Sequence, residues 1–285
     1  MVNVLSLFDG MSCGRIALDK AKIEVDNYYA SELDKYAIKV SQANYPDTVQ
    51  LGDVTKWREW DIDWKSIDLL IGGSPCQGFS FAGKQLAFDD PRSKLFFTYV
   101  EILNHIEELN PDIKFMLENV RMKKEYMDVL SDYLDVQPVF INSALVSAQN
   151  RQRYYWANWN FKQPEDKNIT WGAIREVDAP ICHYYSEAGL AWLKQHGERK
   201  NKRLAIWANT DKCQMIEASH FKNYSSQRFF GVKDVRGLRY ISLLECERAQ
   251  TVPDNYTNHV SNTQRYKMLG NGWTVDVIAH IFGGL

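Results

Sequence analysis

The sequence predicts a doubly wound α/β fold, a mainly parallel sheet with helices on both faces, together with a small irregular insertion. The first 120 residues alternate short apolar runs with helical patterns, and this alternation is typical of parallel sheets. From about residue 160 the pattern breaks up into short runs rich in Lys, Arg, Asn and Trp. Regularity returns near residue 240, so the insertion interrupts one main domain.

Four apolar runs predict the buried strands of this sheet, and helical patterns follow or separate them. The predicted strands are NVLSLF (3–8), VDNYYASE (25–32), IDLLIGG (67–73) and IKFMLENV (113–120). The predicted helices are CGRIALDKA (13–21), LDKYAIKVSQANY (33–45) and a segment that includes KLFFTYVEILNHI (94–106). Two more helices are predicted after the insertion, at ISLLECERAQ (241–250) and TVDVIAHIF (274–282).

Composition indicates a globular chain and argues against several protein classes. Hydrophobic residues make up 45% and charged residues 25%, which is ordinary for a globular domain. No apolar run is long enough to cross a bilayer and no basic segment precedes the first strand, so we expect a cytoplasmic protein without a membrane contact. Five irregularly spaced cysteines predict neither a disulfide framework nor a metal site, and a net charge of -2 does not by itself indicate nucleic-acid binding.

An adenosine pocket is predicted at the ends of the first strands. In LFDGMSCG (7–14), Gly10 and Gly14 allow a sharp turn and a close approach to a ligand. Glu32 ends the second strand, where an acidic side chain accepts hydrogen bonds from ribose hydroxyls, and Asp53 is a candidate acceptor for an adenine amino group. Taken singly, each acid is equally compatible with a helix cap. The spacing fits NAD as well as S-adenosylmethionine.

Cys76 is the candidate nucleophile, because it lies in GGSPCQGFS (72–80) among turn-forming residues that follow a buried strand. That position places the thiol at the ligand crevice of a parallel sheet. Free cysteines are usually small buried apolar residues. We expect this packing role for the other four, Cys13, Cys182, Cys213 and Cys246.

Polar groups suited to a heterocyclic ring are predicted near Cys76. Glu118 and Asn119 lie near the end of the predicted strand IKFMLENV (113–120), at the same edge of the sheet. In QNRQRYYW (149–156), Arg151 and Arg153 occupy alternate positions of a predicted strand and should therefore point to one face. A thiol, a carboxyl and two guanidinium groups indicate nucleophilic attack on a ring that carries donors and acceptors.

Together these segments resemble the DNA (cytosine-5) methyltransferase family. The family's ordered motifs are matched by LFDGMSCG, Glu32, Asp53, GGSPCQGFS, ENV, QNRQR, LLECERAQTVPDNY and MLGNGWTVDVIAHIF. SLFDG, ASE, GDV and IGGSPC resemble the animal de novo branch, whereas GFSFAGKQLAFDDPRSKLFF (78–97) resembles bacterial and phage restriction-modification enzymes. The chain departs from many bacterial members at Ser12-Cys13, where they have Gly-Gly.

The resemblance implies methyl transfer from S-adenosylmethionine to C5 of a cytosine that is rotated out of duplex DNA. Cys76 would add to C6, Glu118 would stabilise charge at N3, and Arg153 with Arg151 would bind O2 and the backbone. The implied cofactor contacts are Phe8, Asp9, Gly10, Gly14, Glu32, Asp53, Val54, Pro75, Asn271 and Trp273, with S-adenosylhomocysteine as the product. The implied substrate contacts are Gln77, Ser80, Asn119 and Arg228, and the loop from Gln77 to Pro91 would close over the base.

The resemblance also implies a division into domains. Residues 1–160 form the catalytic and cofactor-binding domain, 161–235 the target-recognition insertion, and 236–285 the return that completes the cofactor pocket. Between residues 157 and 237, thirteen Lys and Arg stand against nine Asp and Glu, a modest basic excess that favours DNA. The expected setting is the cytoplasm of a bacterial or phage-infected cell, in association with the nucleoid.

Three other functions stay open at this point. The same motif chemistry serves methylation of cytosine in transfer RNA. A catalytically silent binding partner is a second possibility, against which intact Cys76, Glu118 and Arg153 argue. A Rossmann dehydrogenase is the third, and it would leave the Pro-Cys loop and ENV without a role. The recognised DNA sequence, a cognate nuclease and the oligomeric state do not follow from the sequence.

Overall fold

The computed structural model describes residues 1–75, 94–199, 205–225 and 230–285. Four predicted site residues lie outside the described residues: Cys76, Gln77, Ser80 and Arg228. The chain divides by internal contacts into two compact units. The first unit comprises 1–142, 152–164 and 277–285, and the second comprises 143–151 and 165–276.

The first unit contains a seven-stranded sheet, and its topology confirms the predicted α/β class. The strands of the amino-terminal part are β1 (Val2–Leu7), β2 (Val25–Ser31), β3 (Val49–Gln50), β4 (Leu69–Gly72), β5 (Lys114–Val120), β6 (Val139–Asn142), β7 (Gln149–Asn150, in the second unit) and β8 (Gln152–Ala157). The order in the sheet is β3-β2-β1-β4-β5-β8-β6. Neighbours from β3 to β5 run parallel, whereas β8 runs antiparallel to both β5 and β6.

The described helices follow the predicted pattern closely in the amino-terminal half. The first unit has α1 (Cys13–Ala21), α2 (Lys35–Asn44), α3 (Lys94–Leu109) and α4 (Lys124–Leu134). The second has α5 (Trp171–Ile174), α6 (Glu187–Arg199), α7 (Leu243–Ala249) and α8 (Asn262–Asn271), and α9 (Val275–Phe282) begins there and ends in the first unit. The predictions for α1, α2, α3, α7 and α9 are confirmed. No element was predicted for β6, α4 or α8.

Burial explains why these segments adopt their structure. All four residues of β4 and the last four of β1 are buried, as expected for central parallel strands covered on both faces. In α3, Phe96, Tyr99 and Leu103 recur at helical spacing and join the apolar core of the sheet. The carboxyl ends of the parallel strands therefore meet at one edge on a rigid base.

The second unit has more regular structure than the sequence predicted. It contains β9 (Ala205–Trp207), β10 (Cys213–Gln214), β11 (Phe230–Asp234) and β12 (Gly237–Arg239). Strands β9, β11 and β12 form a small sheet, and β10 pairs with β7. No helix in the part of the chain that the structure describes is long and apolar enough to cross a membrane.

The unit boundaries differ from the predicted ones, because residues 236–276 cluster with the segment before them. A buried ion pair contributes to this grouping. Arg239 Nη2 lies 2.6 Å from Glu245 Oε1, and both side chains are fully buried. Glu245 also accepts a hydrogen bond from the Glu176 backbone amide. Breaking such a pair would leave an uncompensated buried charge, so α7 is firmly attached to the preceding segment.

Gly270, in α8, packs closely against the backbone of Ala218, and a substitution can test this contact. A Cβ at position 270 would lie 2.0 Å from the Ala218 backbone nitrogen, a contact that requires the backbone to move. We expect Gly270→Ala to lower the free energy of unfolding by about 3 kcal/mol or more, measured by urea denaturation. Thr263→Ala, at an exposed position of the same helix, should change it by less than about 0.5 kcal/mol. Equal urea midpoints for Gly270→Ala and wild type would contradict the packing.

Candidate active site

The loop of residues 8–12, which follows β1, turns sharply at the carboxyl edge of the sheet. Phe8, Gly10 and Ser12 have φ values of 59°, 61° and 62°. This left-handed region is unfavourable for residues with a side chain. The Asp9 amide donates to the Ser31 carbonyl at 3.1 Å, which attaches the loop to the end of β2. Further contacts are therefore expected to hold Phe8 and Ser12 in place.

Asp9, itself a residue of this loop, accepts hydrogen bonds that help to hold Ser12 in its conformation. Its Oδ1 accepts hydrogen bonds from the Ser6 and Tyr28 hydroxyls, each at 2.7 Å, and its Oδ2 accepts one from Ser12 at 2.5 Å. Ser12 Oγ also lies 2.6 Å from Ser41 Oγ, on α2. Burial raises the pKa of Asp9 to about 6, although the three hydroxyls act in the opposite direction. The carboxyl thus joins the loop to β1 and β2, and Ser12 adds a contact to α2.

Glu32 lies directly beside Gly10. Its Oε2 accepts the Gly10 amide at 2.8 Å, and its Oε1 accepts the Leu33 and Asp34 amides, both at 2.7 Å. These three bonds fix the carboxylate at the carboxyl edge of the sheet. The sequence predicted a contact to ribose hydroxyls, and the structure adds backbone contacts that orient the same group.

Asp53 has the helix-cap role that was one of its two expected functions. Its Oδ1 accepts hydrogen bonds from the Thr55 amide at 2.9 Å and from the Thr55 hydroxyl at 2.8 Å. The bond from the Thr55 amide, followed by that from the hydroxyl, lowers the pKa of Asp53. The neighbouring Val54 is buried. Asp53 is therefore an oriented carboxylate at the edge next to β3.

Two glycines and two oriented carboxylates lie at this edge of the sheet. Gly10 and Gly52 both have positive φ, and among the residues that the structure describes, apart from their chain neighbours, no heavy atom lies within 4 Å of a Cβ placed on either. Open space thus adjoins backbone turns at the ends of β1 and β3, next to the carboxylates of Glu32 and Asp53. Such acceptors suit hydroxyl and amino groups. Gly14 lies in the first turn of α1, where it is buried.

Glu118 and Arg153 form the charged pair of the site. Arg153 Nε lies 2.7 Å from Glu118 Oε1 in an ion pair, and each side chain is only about a tenth exposed, at 10% and 11%. The antiparallel pairing of β5 with β8 brings them together, since Arg153 lies opposite Val120 on the face that Glu118 shares. A largely desolvated pair of this kind is stronger than a surface ion pair. Two predicted catalytic groups therefore meet at the end of β5.

Asn119 connects this pair to the loop that carries Cys76. Asn119 Nδ2 donates to Ser74 Oγ at 3.1 Å, and its Oδ1 accepts the Val120 amide at 2.8 Å. Only 1% of Asn119 is exposed. The structure therefore gives Asn119 an anchoring contact where the sequence predicted a substrate contact. The loop continues through Pro75, a partly buried residue, to positions outside the described residues.

Arg151 does not share a strand face with Arg153, and that prediction is wrong. The predicted strand is interrupted, because β7 ends at residue 150 and β8 begins at residue 152. Arg151 belongs to the second unit. Its guanidinium donates to the backbone carbonyls of Ile216, Gly270 and Gly272 at 3.3, 3.3 and 2.8 Å. Buried carbonyls need donors, and a guanidinium supplies up to five.

The remaining predicted residues also lie in the second unit. Asn271 ends α8 and is exposed, and Trp273 follows it with a partly buried side chain. Of the cysteines predicted to be packing residues, Cys13, Cys213 and Cys246 are buried, which confirms the expectation for these three. Burial raises the pKa of the Cys213 and Cys246 thiols, so they are poor nucleophiles.

Several residues of the site were missed by the sequence analysis. Ser12, Tyr28 and Ser41 complete the contacts around Asp9, and Ser74 anchors the loop before Cys76. Their partners are distant in sequence, and no local pattern indicates them. A weak signal existed only for Ser12. It stands where many bacterial members of the family have glycine, at a turn that requires a left-handed conformation.

Comparison with known proteins decides the family. The profile described as "C-5 cytosine-specific DNA methylase" matches residues 2–156 and 123–285, which is nearly the whole chain. The chain belongs to this family. The resemblance predicted from the motifs is thereby confirmed, and the chain is assigned as a cytosine-5 DNA methyltransferase. The dehydrogenase alternative is excluded.

Two bacterial methyltransferases are similar to this chain over nearly its whole length. It is 31% identical over 306 residues to the type II methyltransferase M1.ScrFI of Lactococcus lactis subsp. cremoris, covering 96% of this chain and 75% of the relative. It is 28% identical to M.HhaI of Haemophilus parahaemolyticus, covering 97% and 92%. The crystal structure of S. pombe Dnmt2 matches with a TM-score of 0.75 at 18% identity, covering 99% of this chain and 98% of that one, which shows the shared fold.

The raised pKa of Asp9 predicts a specific pH dependence of stability. The fold favours the neutral carboxyl, because its pKa rises from 3.8 to about 6. This contribution is fully present below pH 4 and is lost as the pH rises through 6, a loss of about 3 kcal/mol by pH 7.5. Asp9→Asn should remove that loss. The difference in unfolding free energy between variant and wild type, measured in urea from pH 4 to pH 7.5, should change by most of this amount, chiefly between pH 4 and pH 6.

The control for this experiment is Asp61→Asn, which changes an exposed carboxyl of the same unit. Its stability curve should run parallel to that of the wild type across this pH range. A parallel curve for Asp9→Asn would show that the Asp9 carboxyl has an ordinary pKa in the folded protein.

Proposed function

We propose that this enzyme methylates C5 of a cytosine rotated out of duplex DNA, through a covalent bond between Cys76 and C6. The observation that supports it most is the buried Glu118–Arg153 pair, at 2.7 Å, beside the loop that leads to Cys76. The pair combines an acidic group and a fixed cation, as a pyrimidine ring with a basic N3 and a carbonyl O2 requires. Asn119 holds the start of the loop at the same edge.

The proposed chemistry follows from the low reactivity of cytosine C5. The Cys76 thiolate adds to C6, which makes the ring electron-rich and drives charge toward N3. Glu118, sharing a proton with N3, stabilises this charge. Arg153 orients Glu118 through the ion pair at Nε, donates from Nη1 to the Gln152 carbonyl, and would offer Nη2 to O2. After methylation, loss of the C5 proton and departure of Cys76 restore the aromatic ring.

The proposed cofactor is S-adenosylmethionine, which supplies an electrophilic methyl group when bound. The loop of residues 8–12 would approach it closely, with Glu32 accepting hydrogen bonds from the ribose hydroxyls and Asp53 from the adenine amino group. Asn271 and Trp273 are proposed to complete the pocket. The open space beside Gly10 and Gly52 supports this assignment.

DNA binding is proposed to involve two segments. Because C6 is inaccessible in a stacked duplex, the target base must leave the helix, and residues 77–91 would close over it. Residues 161–235 would read the target sequence, with Arg228 as one contact. The basic excess of this part of the chain supports a role next to phosphates.

Covalent trapping tests the nucleophile and the substrate together. A duplex with 5-fluorocytosine at the target position lacks the C5 proton that must leave, so the adduct with Cys76 should persist after methyl transfer. It should survive denaturing electrophoresis, require S-adenosylmethionine and disappear in Cys76→Ser, since the alcohol is a far weaker nucleophile. Cys13→Ser, which changes a buried thiol, should still be trapped.

The outcomes of the trapping experiment separate the alternatives. Trapping on 5-fluorocytosine RNA and not on the DNA duplex would transfer the function to transfer-RNA methylation. Trapping that persists in Cys76→Ser would overturn the assigned nucleophile. A wild-type protein that binds DNA and forms no adduct would favour the silent binding partner.

Segment exchange tests the proposed role of residues 161–235. Replacing them with the matching segment of M.HhaI should change the methylated sequence to that of the donor while the adduct with Cys76 still forms. Bisulfite sequencing of plasmid DNA from expressing cells gives the sites. An active exchanged protein that still methylates the original sites would show that target recognition lies elsewhere.

A further inference from the structure

The segment from Leu269 to Thr274 is fixed in the second unit by buried polar side chains. Gln149, Arg151 and Gln250, here called the polar cluster, are 0%, 3% and 0% exposed. Gln250 Nε2 donates to the Leu269 and Gly272 carbonyls at 2.6 and 3.2 Å. Burial of three such side chains is costly unless their hydrogen-bonding groups find partners, and most of the partners here are backbone atoms.

The two glutamines of the polar cluster hydrogen-bond to each other. Gln149 Nε2 donates to Gln250 Oε1 at 2.7 Å, and Gln149 Oε1 accepts the Ile216 amide at 3.1 Å. Gln250 Oε1 also accepts the Thr274 hydroxyl at 3.0 Å. Because each amide uses both its oxygen and its nitrogen, the orientation of the Gln250 side chain is determined by its neighbours.

Arg151 reinforces the same segment. It donates to the Gly272 carbonyl at 2.8 Å, which also accepts the bond from Gln250, and to the Gly270 carbonyl at 3.3 Å. The backbone at Ala218 excludes any side chain at position 270. The carbonyls around Asn271 are therefore directed into the unit, whereas the Asn271 side chain is exposed and that of Trp273 partly so.

We propose that Arg151 and Gln250 are positioning residues that hold Asn271 and Trp273 in the conformation required to bind S-adenosylmethionine. The inference rests on the proposed function, in which these two residues complete the cofactor pocket. It assigns Arg151 a role different from that of Arg153, although both belong to QNRQR. Arg153 pairs with a carboxyl of the site, whereas Arg151 serves backbone carbonyls.

The test compares cofactor affinity with turnover in the full-length chain. Arg151→Met removes the donors to three carbonyls, and we expect the dissociation constant for S-adenosylmethionine to rise about tenfold or more. The value of kcat at saturating cofactor should stay within about threefold of wild type. Arg151→Lys, which retains a cationic donor, should restore part of the affinity. Gln250→Met, which removes the amide from the same network, should resemble Arg151→Met.

Two control variants test whether the expected change in cofactor affinity without a change in kcat is specific to the polar cluster. Arg153→Met should show the opposite behaviour, with a large fall in kcat and little change in cofactor affinity. Thr263→Ala, at an exposed position of α8, should leave the dissociation constant unchanged. Calorimetry with S-adenosylhomocysteine gives the affinity independently of turnover.

The results would decide between the two roles of Arg151. A fall in kcat for Arg151→Met with unchanged cofactor affinity would make it a catalytic group and overturn the proposal. If Arg151→Met does not fold, Arg151→Lys decides by the same comparison: a raised dissociation constant with kcat near wild type supports the proposal, and an unchanged dissociation constant overturns it. A wild-type protein that transfers no methyl group to DNA would refute the proposed function, while the calorimetric comparison would still test the positioning role.

Discussion

The antiparallel pairing of β8 with β5 is the constraint on which the site depends. The parallel strands alone bring loops and acids to one edge of the sheet, which is a binding surface without a cation at its centre. Because β8 runs in the opposite direction, it begins at that edge of the sheet. This places Arg153 opposite Val120, and its Nε lies 2.7 Å from Glu118 Oε1. A single strand of opposite direction thus adds the charged pair to a nucleotide-binding edge.

Buried polar side chains also determine the conformation of the loops at the site. The Asp9 carboxyl stabilises the left-handed conformation of Ser12, and Asn119 fixes Ser74 before the Pro-Cys loop. In each case, hydrogen bonds offset the desolvation cost of the buried polar group and fix the backbone conformation. In this protein the precision of the site is therefore expected to come in part from side chains that bond to the protein's own loops and strands.

The sequence predicted the fold well where periodicity and motif agree. The helix Cys13–Ala21 was predicted with both of its ends, and apolar runs located the four central strands. The sequence did not predict the break at Arg151, because a strand pattern with alternating arginines does not show which residue meets buried carbonyls. It also gave no signal for Ser41, whose partner Ser12 is 29 positions away. Such contacts depend on tertiary packing, which local patterns do not contain.

Residue type within a motif is therefore insufficient to assign a role. Arg151 and Arg153 are two positions apart, and both are largely buried. Arg153 pairs with a carboxylate in addition to the Gln152 carbonyl, whereas the Arg151 guanidinium donates to main-chain oxygens. The partner decides the chemistry: beside a carboxylate, a guanidinium belongs to a charge-stabilising site, whereas among carbonyls it replaces missing backbone donors. Asn119 follows the same rule, because burial and its bond to Ser74 make it an anchor for the loop. In this family of folds, the hydrogen-bond partners of a motif residue carry the information about its function that the motif itself lacks.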